Sequence, residues 1–186
     1  MRILIALLTL SLSLCANAED KLKVVTSFSI LADITQQIAG DKLELRNLVG
    51  ADADAHIYQP SAEDAKAVFA ADLIIANGMG FEPWLARLID SSEAPGTRID
   101  ASAGVLPLML DEDGQQVADP HAWQNLANAE IYVQNIAKAL VQADPNNAAH
   151  YNAGRDAYLT QIRSLLAEAK TGLGQLPPAQ RTIIDC

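Results

Sequence analysis

At 186 residues, half of them hydrophobic, the chain is long enough for one substantial core and too short for several. Its 13 Lys and Arg against 23 Asp and Glu give a formal charge of -10, and the basic residues are scattered singly, which excludes a nucleic-acid surface. Cys15 and Cys186 are the 2 cysteines, so a disulfide-stapled scaffold is excluded and packing must hold the fold.

Arg2 precedes an uncharged, mostly apolar stretch over residues 3–14, followed by Cys15-Ala16-Asn17-Ala18 and then Glu19-Asp20. That is the pattern of a secretory signal peptide over residues 1–18: the stretch is too short to span a bilayer, and Ala16 and Ala18 supply the small residues of a cleavage site. Lipid attachment at Cys15 calls for a small preceding side chain, and Leu14 stands there instead. Cleavage and a soluble extracytoplasmic product are expected.

The rest alternates strand and helix. Residues 22–27 (LKVVTS) form a β-branched run, and Ile30, Ile34 and Ile38 follow at helical spacing with Gly40 as the stop. Residues 43–49 read as a second strand. Ser61 with Asp64 three residues on marks a helix start, the carboxylate replacing the usual Glu or Gln of a capping box, and that helix runs over 62–71. Residues 73–76 form a third strand, Asn77-Gly78-Met79-Gly80 a turn, 81–91 a helix that tolerates Pro83 in its first turn, and 97–101 a fourth strand. A loop over 102–121 carries Asp111-Glu112-Asp113-Gly114, read as solvated. Two helices close the chain, over 129–143 with Tyr132, Ile136 and Leu140 on one face, and from Asn146 to about Leu176. The second shows Tyr151, Tyr158 and Leu165 at seven-residue spacing, with Ile162, Leu166 and Ala169 beside them. At 1.5 Å per residue it extends roughly 40 Å, enough to cross a small domain as a connector. The fold class is therefore α/β, an open and mainly parallel sheet flanked by helices and followed by a long linking helix.

Of 3 histidines, two lie in Pro-flanked, non-periodic segments: Asp52-Ala53-Asp54-Ala55-His56-Ile57-Tyr58-Gln59-Pro60 and Val117-Ala118-Asp119-Pro120-His121-Ala122-Trp123. A loop histidine fills no hydrophobic face; it is a surface group, a proton-transfer group or a metal ligand. We read His56 and His121 as metal ligands. Ligands of open parallel sheets gather outside the carboxyl ends of the strands, where His56 falls and His121 can reach. Asp52, Asp54, Asp119 and Glu82 are candidates to complete a makeshift metal site, with roles as caps or as acceptors for the far imidazole N–H favoured, and Asp119 reads also as a turn former before Pro120. His150 reads as a surface helix residue, and Trp84 and Trp123 as packing residues near the cleft.

Ala55-His56-Ile57-Tyr58-Gln59-Pro60 and Asp119-Pro120-His121-Ala122-Trp123, together with Asn77-Gly78-Met79-Gly80-Phe81-Glu82-Pro83-Trp84 and Ile131-Tyr132-Val133-Gln134-Asn135-Ile136, resemble the solute-binding proteins of ABC-type zinc and manganese importers. The resemblance covers essentially everything after the leader. It implies two α/β lobes joined by one rigid helix, with a divalent ion between them. His56 and His121 match the two ligands of the N-terminal lobe. On this reading residues 19–143 are that lobe, 144–178 the linking helix, and 179–186 the opening of a second lobe whose ligands lie beyond Cys186. Half a metal site, weakened binding and an unstable terminal stub are then expected. The resemblance further implies a non-enzymatic, periplasmic, monomeric protein that captures Zn²⁺ or Mn²⁺ as transported ligand and hands it to an ABC permease in the inner membrane, with capture weakening below about pH 6. A zinc hydrolase is disfavoured because there is no H-E-x-x-H and no glutamate beside either histidine. An exported interaction module would leave both histidines idle.

Overall fold

The computed structural model describes residues 20–112 and 114–177; the leader over 1–18, both cysteines and the segment 179–186 lie outside the described residues. The element order is β1 (Leu22–Phe28), α1 (Ser29–Ala39), β2 (Leu43–Val49), α2 (Ala62–Ala70), β3 (Leu73–Ala76), α3 (Pro83–Ser92), β4 (Thr97–Asp100), β5 (Met109–Glu112), β6 (Gln115–Ala118), α4 (Leu126–Ala143) and α5 (Ala148–Gly174). The first four strands make one parallel sheet in the order β2-β1-β3-β4. Chain connections leave β1 to one side and return past it to β3, so the strand order reverses between β1 and β3. That reversal opens a crevice above their carboxyl ends. Helices α1, α4 and α2 pack on the sheet, with α5 laid against α1 and α4, and α3 against α2.

β3 needs no alternation, because both of its faces are covered: Leu73, Ile74, Ile75 and Ala76 are all buried. Leu73, Ile74 and Ile75 each contribute about 1.5–3 kcal/mol by leaving water. α1 buries Leu31, Ile34, Thr35 and Ile38, whereas Ile30 remains 41% exposed. The stripe thus advances by three and four residues, and the 30-34-38 row expected from sequence drifts off the core at its first member. Gly40 ends the helix at φ 55, a left-handed conformation natural to glycine.

α2 starts as expected from Ser61 and Asp64. The Ser61 hydroxyl accepts the Asp64 N–H at 3.2 Å and Asp64 Oδ2 accepts the Ser61 N–H at 2.9 Å. Asp64 is buried, and Oδ2 also accepts the Tyr58 hydroxyl at 2.8 Å. Burial works to raise its pKa, but the bonds from Ser61, Tyr58 and Arg46 outweigh it and hold the carboxyl below its ordinary 3.8. A group depressed in the folded state contributes stability that is complete above the unfolded value and disappears as pH falls through the folded one. Asp64→Ala is accordingly expected to cost on the order of 2 kcal/mol at pH 7. In urea denaturation at pH 7 and pH 3, its deficit against the parent should shrink on acidification. An unchanged deficit would remove the charge from this account.

α3 begins at Pro83, two residues later than the sequence suggests, because Gly78, Met79 and Gly80 take φ of 85, 54 and 76 and the turn consumes Phe81 and Glu82. The expected loop over 102–121 contains the antiparallel hairpin β5–β6, whose tip is closed by the Gly114 N–H donating to Asp111 Oδ1 at 2.9 Å. Leu108, Met109 and Leu110 are all exposed, so no one-sided pattern announced these strands. α4 starts at Leu126, capped by Asn125, whose side chain accepts the Ala127 N–H at 2.9 Å.

α5 follows a 3-10 turn over Pro145–Asn147. Tyr151, Leu159 and Ile162 are buried against α1 and α4, Tyr158 is half-buried, and Leu165 is 52% exposed, so the seven-residue row leaves the core at its third member. Gly154 lets the two backbones touch: a Cβ there would stand 2.2 Å from the carbonyl oxygen of Ile38. His150, exposed as expected, nevertheless bonds through Nε2 to the Ala39 carbonyl at 2.9 Å.

Candidate metal centre

Three chain segments meet above the β1/β3 crevice. The first runs from β2 to His56: Asp54 Oδ1 accepts the His56 N–H at 2.8 Å, turning the backbone, and the buried Ala55 presents its carbonyl to the Trp84 indole N–H at 2.6 Å. Trp84 is therefore a packing residue as expected and also a clamp on the residue before His56. Trp84→Phe leaves the Ala55 carbonyl without a donor and is expected to lower stability by about 1–3 kcal/mol. Urea denaturation reads the loss, and faster amide exchange at residues 54–57 locates it; unchanged exchange there would show the clamp to be irrelevant.

The second segment carries His121. Asp119 Oδ1 accepts the His121 N–H at 2.9 Å and faces the ring Nδ1 at 2.7 Å. The His121 backbone N–H foremost, then the imidazole, hold the Asp119 carboxyl below its ordinary 3.8 against the opposing effect of partial burial. With the Nδ1 proton directed at the carboxylate, the Nε2 lone pair is turned outward. It meets His56: the two Nε2 atoms stand 3.0 Å apart, with ring centroids at 5.1 Å and planes at 65°.

The third segment is the turn from β3 to α3, which supplies the floor. Phe81 stands edge-on to both imidazoles, at centroid distances of 4.4 Å from His56 and 5.7 Å from His121. It also packs on Phe28 at 5.1 Å and Trp123 at 4.6 Å. These rings and Ala55 line a cleft of about 300 Å³ that contains both histidines. Beneath it Glu82 is buried, its carboxylate accepting the Ser27 hydroxyl at 2.6 Å together with the Asn77 and Gly78 N–H groups. Burial pushes the Glu82 pKa up and these bonds oppose it.

The four acids named from sequence therefore divide. Asp119 is the acceptor on an imidazole, Asp54 caps a backbone N–H, Glu82 ties the turn to β1, and Asp52 makes no bond to either histidine. Among the described residues no group of three or more His, Cys, Asp or Glu is arranged to hold a metal ion. Phe81 and Asn77 were quoted within the 77–84 stretch but given no role of their own from sequence. The signal available was their position, directly past the carboxyl end of a buried strand.

The chain over residues 24–186 matches the model of the family described as zinc-uptake complex component A, periplasmic. It belongs to that family. Among relatives, the manganese ABC transporter substrate-binding lipoprotein PsaA of Streptococcus pneumoniae is 41% identical over 175 residues, covering 90% of this chain and 56% of the relative. The iron-binding protein YfeA of Yersinia pestis is 38% identical over 171 residues, covering 91% and 54%. The Mn-bound periplasmic metal binding protein from Candidatus Liberibacter asiaticus superimposes with a TM-score of 0.79 at 36% identity, covering 85% of this chain and 59% of that one. The chain thus spans somewhat more than half the length of these relatives, and its α/β sheet with a long closing helix is the fold of the structural neighbour over that span. This is a family of transporter substrate-binding proteins.

Proposed function

We propose that this chain serves extracytoplasmic capture of a divalent transition-metal ion, zinc or manganese, for delivery to an ABC-type permease in the membrane, with His56 and His121 as two of the ligands. Capture needs no chemistry at the ion, only donors held ready for it. The observation that carries this reading is the 3.0 Å separation of the two Nε2 atoms with Asp119 behind His121. An ion about 2.0–2.1 Å from each nitrogen would subtend an angle of roughly 91–97°. An ideal tetrahedral zinc site would open the pair by a few tenths of an ångström.

Two imidazoles supply half of the four donors zinc takes, and manganese takes more, with a larger share of oxygen. Water or groups outside the described residues complete the shell. In this reading the protein is a monomer released by cleavage after residue 18, residues 19–143 form the ion-holding lobe, and residues 144–178 carry the lobe's connection onward. Family membership and the likeness to metal-binding proteins support it.

The test is calorimetric titration of zinc chloride and manganese chloride into the chain, with long-range ¹H–¹⁵N spectra of the imidazoles. One ion per chain, perturbing both His56 and His121, is expected. Binding that leaves either ring unperturbed would overturn the assignment.

A further inference from the structure

His121 is also held from a direction that touches neither imidazole. Asn77 is fully buried at the carboxyl end of β3, and its carboxamide spans three elements. Nδ2 donates to the Gly78 carbonyl at 3.1 Å and to the Pro120 carbonyl at 2.9 Å. Oδ1 accepts the hydroxyl of Tyr132, a fully buried residue of α4, at 2.7 Å. The Asn77 backbone is fixed as well: its N–H goes to Glu82, and its carbonyl accepts the Ser102 hydroxyl at 2.6 Å and the Ser102 N–H at 3.1 Å, the Ser102 side chain also bonding the Tyr132 hydroxyl.

A carboxamide can be turned end for end at little steric cost, so its neighbours decide which end points where. A hydroxyl aimed at Oδ1 and two carbonyls facing Nδ2 leave one orientation satisfied. Turned over, the amide would set oxygen against the carbonyls of Gly78 and Pro120. Pro120 has no N–H of its own, so its carbonyl is the backbone group through which this network reaches the residue before His121.

We infer that Tyr132 and Asn77 form a positioning pair that fixes the His121 imidazole, so that metal affinity depends on a hydroxyl in α4 remote from the ligand atoms. This rests on the metal-capture reading and deepens it. The pair also ties the ligand loop to a helix that packs on α5.

Tyr132→Phe removes the hydroxyl and retains the ring. Tyr151→Phe is its matched control: that hydroxyl is likewise on a fully buried ring and donates to Asp144 Oδ2 at 2.7 Å, where Asp144 borders a cavity with Leu22 and Asp72 at the amino ends of the strands. Zinc chloride affinity is measured by calorimetry for the full chain and both variants, with His121 ring spectra of the metal-free proteins. The expected result is a tenfold or greater loss of affinity and an altered His121 pattern in Tyr132→Phe, with both preserved in Tyr151→Phe despite a comparable fall in denaturation midpoint. Equal affinities in the two variants, or losses that simply follow the midpoint, would overturn the inference. A parent that binds zinc through both histidines while Tyr132→Phe matches it refutes the positioning pair alone. A parent whose binding perturbs neither histidine refutes the capture reading and the pair with it.

Discussion

His121→Ala is expected to weaken zinc binding about a hundredfold or more, His56→Ala by a similar factor, and the double variant hardly further than either single. Loss of an outer hydrogen-bond partner of a ligand already costs about 10–100-fold, and loss of a ligand removes the chelate itself. Once one imidazole is gone, the other holds the ion by a single bond, so its later removal takes away little. The coupling in a double-mutant cycle should therefore be large. His56 is exposed and His121 half-buried, so neither truncation empties the core, and thermal midpoints should stay close to the parent. Competition titration against a chelator of known affinity measures all three. Additive losses would mean that the rings bind separate ions and do not share one.

Gly154→Ala should destabilise, although alanine normally improves an exposed helix interior by about 1 kcal/mol over glycine. The added methyl would stand 2.2 Å from Ile38 O and 2.9 Å from Ile38 C, both backbone atoms of α1 that cannot rotate aside. α5 must move away, loosening Tyr151, Leu159 and Ile162 together. Overpacking of this kind costs about 3 kcal/mol, which for a chain of this size lowers the midpoint by roughly 6–12 °C. Calorimetric or circular-dichroism melting of the variant is the check, and a midpoint at or above the parent's would show that α5 is not seated on α1. Gly172→Ala serves as reference, since a Cβ there meets nothing within 4 Å; it should be neutral or slightly stabilising.

What could be read from sequence was what local chemistry determines. Leu73-Ile74-Ile75-Ala76 could hardly be anything but a buried strand, and the Ser61 and Asp64 pair announced its own cap. His56 and His121 stood out because histidines in Pro-flanked loops have no packing duty. Ile30 was misjudged because a row of every fourth residue drifts around the helix, and burial followed Leu31 instead. The hairpin β5–β6 stayed hidden because its apolar residues face water. Trp84 was legible as packing, but its bond to Ala55 spans 29 residues and exists only after the fold has formed. The same holds for Asn77, whose partners lie 43 and 55 residues away. Such residues carry no local pattern, since their roles are set by convergence.

The sheet and α1 precede their final cover by a long stretch of chain: His150 reaches back 111 residues to Ala39, and Tyr158 reaches 125 residues to Asp33. During synthesis Leu31, Ile34 and Ile38 have emerged well before Tyr151 and Ile162 exist to shield them. Contacts of such sequence separation form late and slow the approach to the native state. Until α5 is made, the apolar stripe of α1 lacks its final cover, and for that interval the chain is vulnerable to self-association.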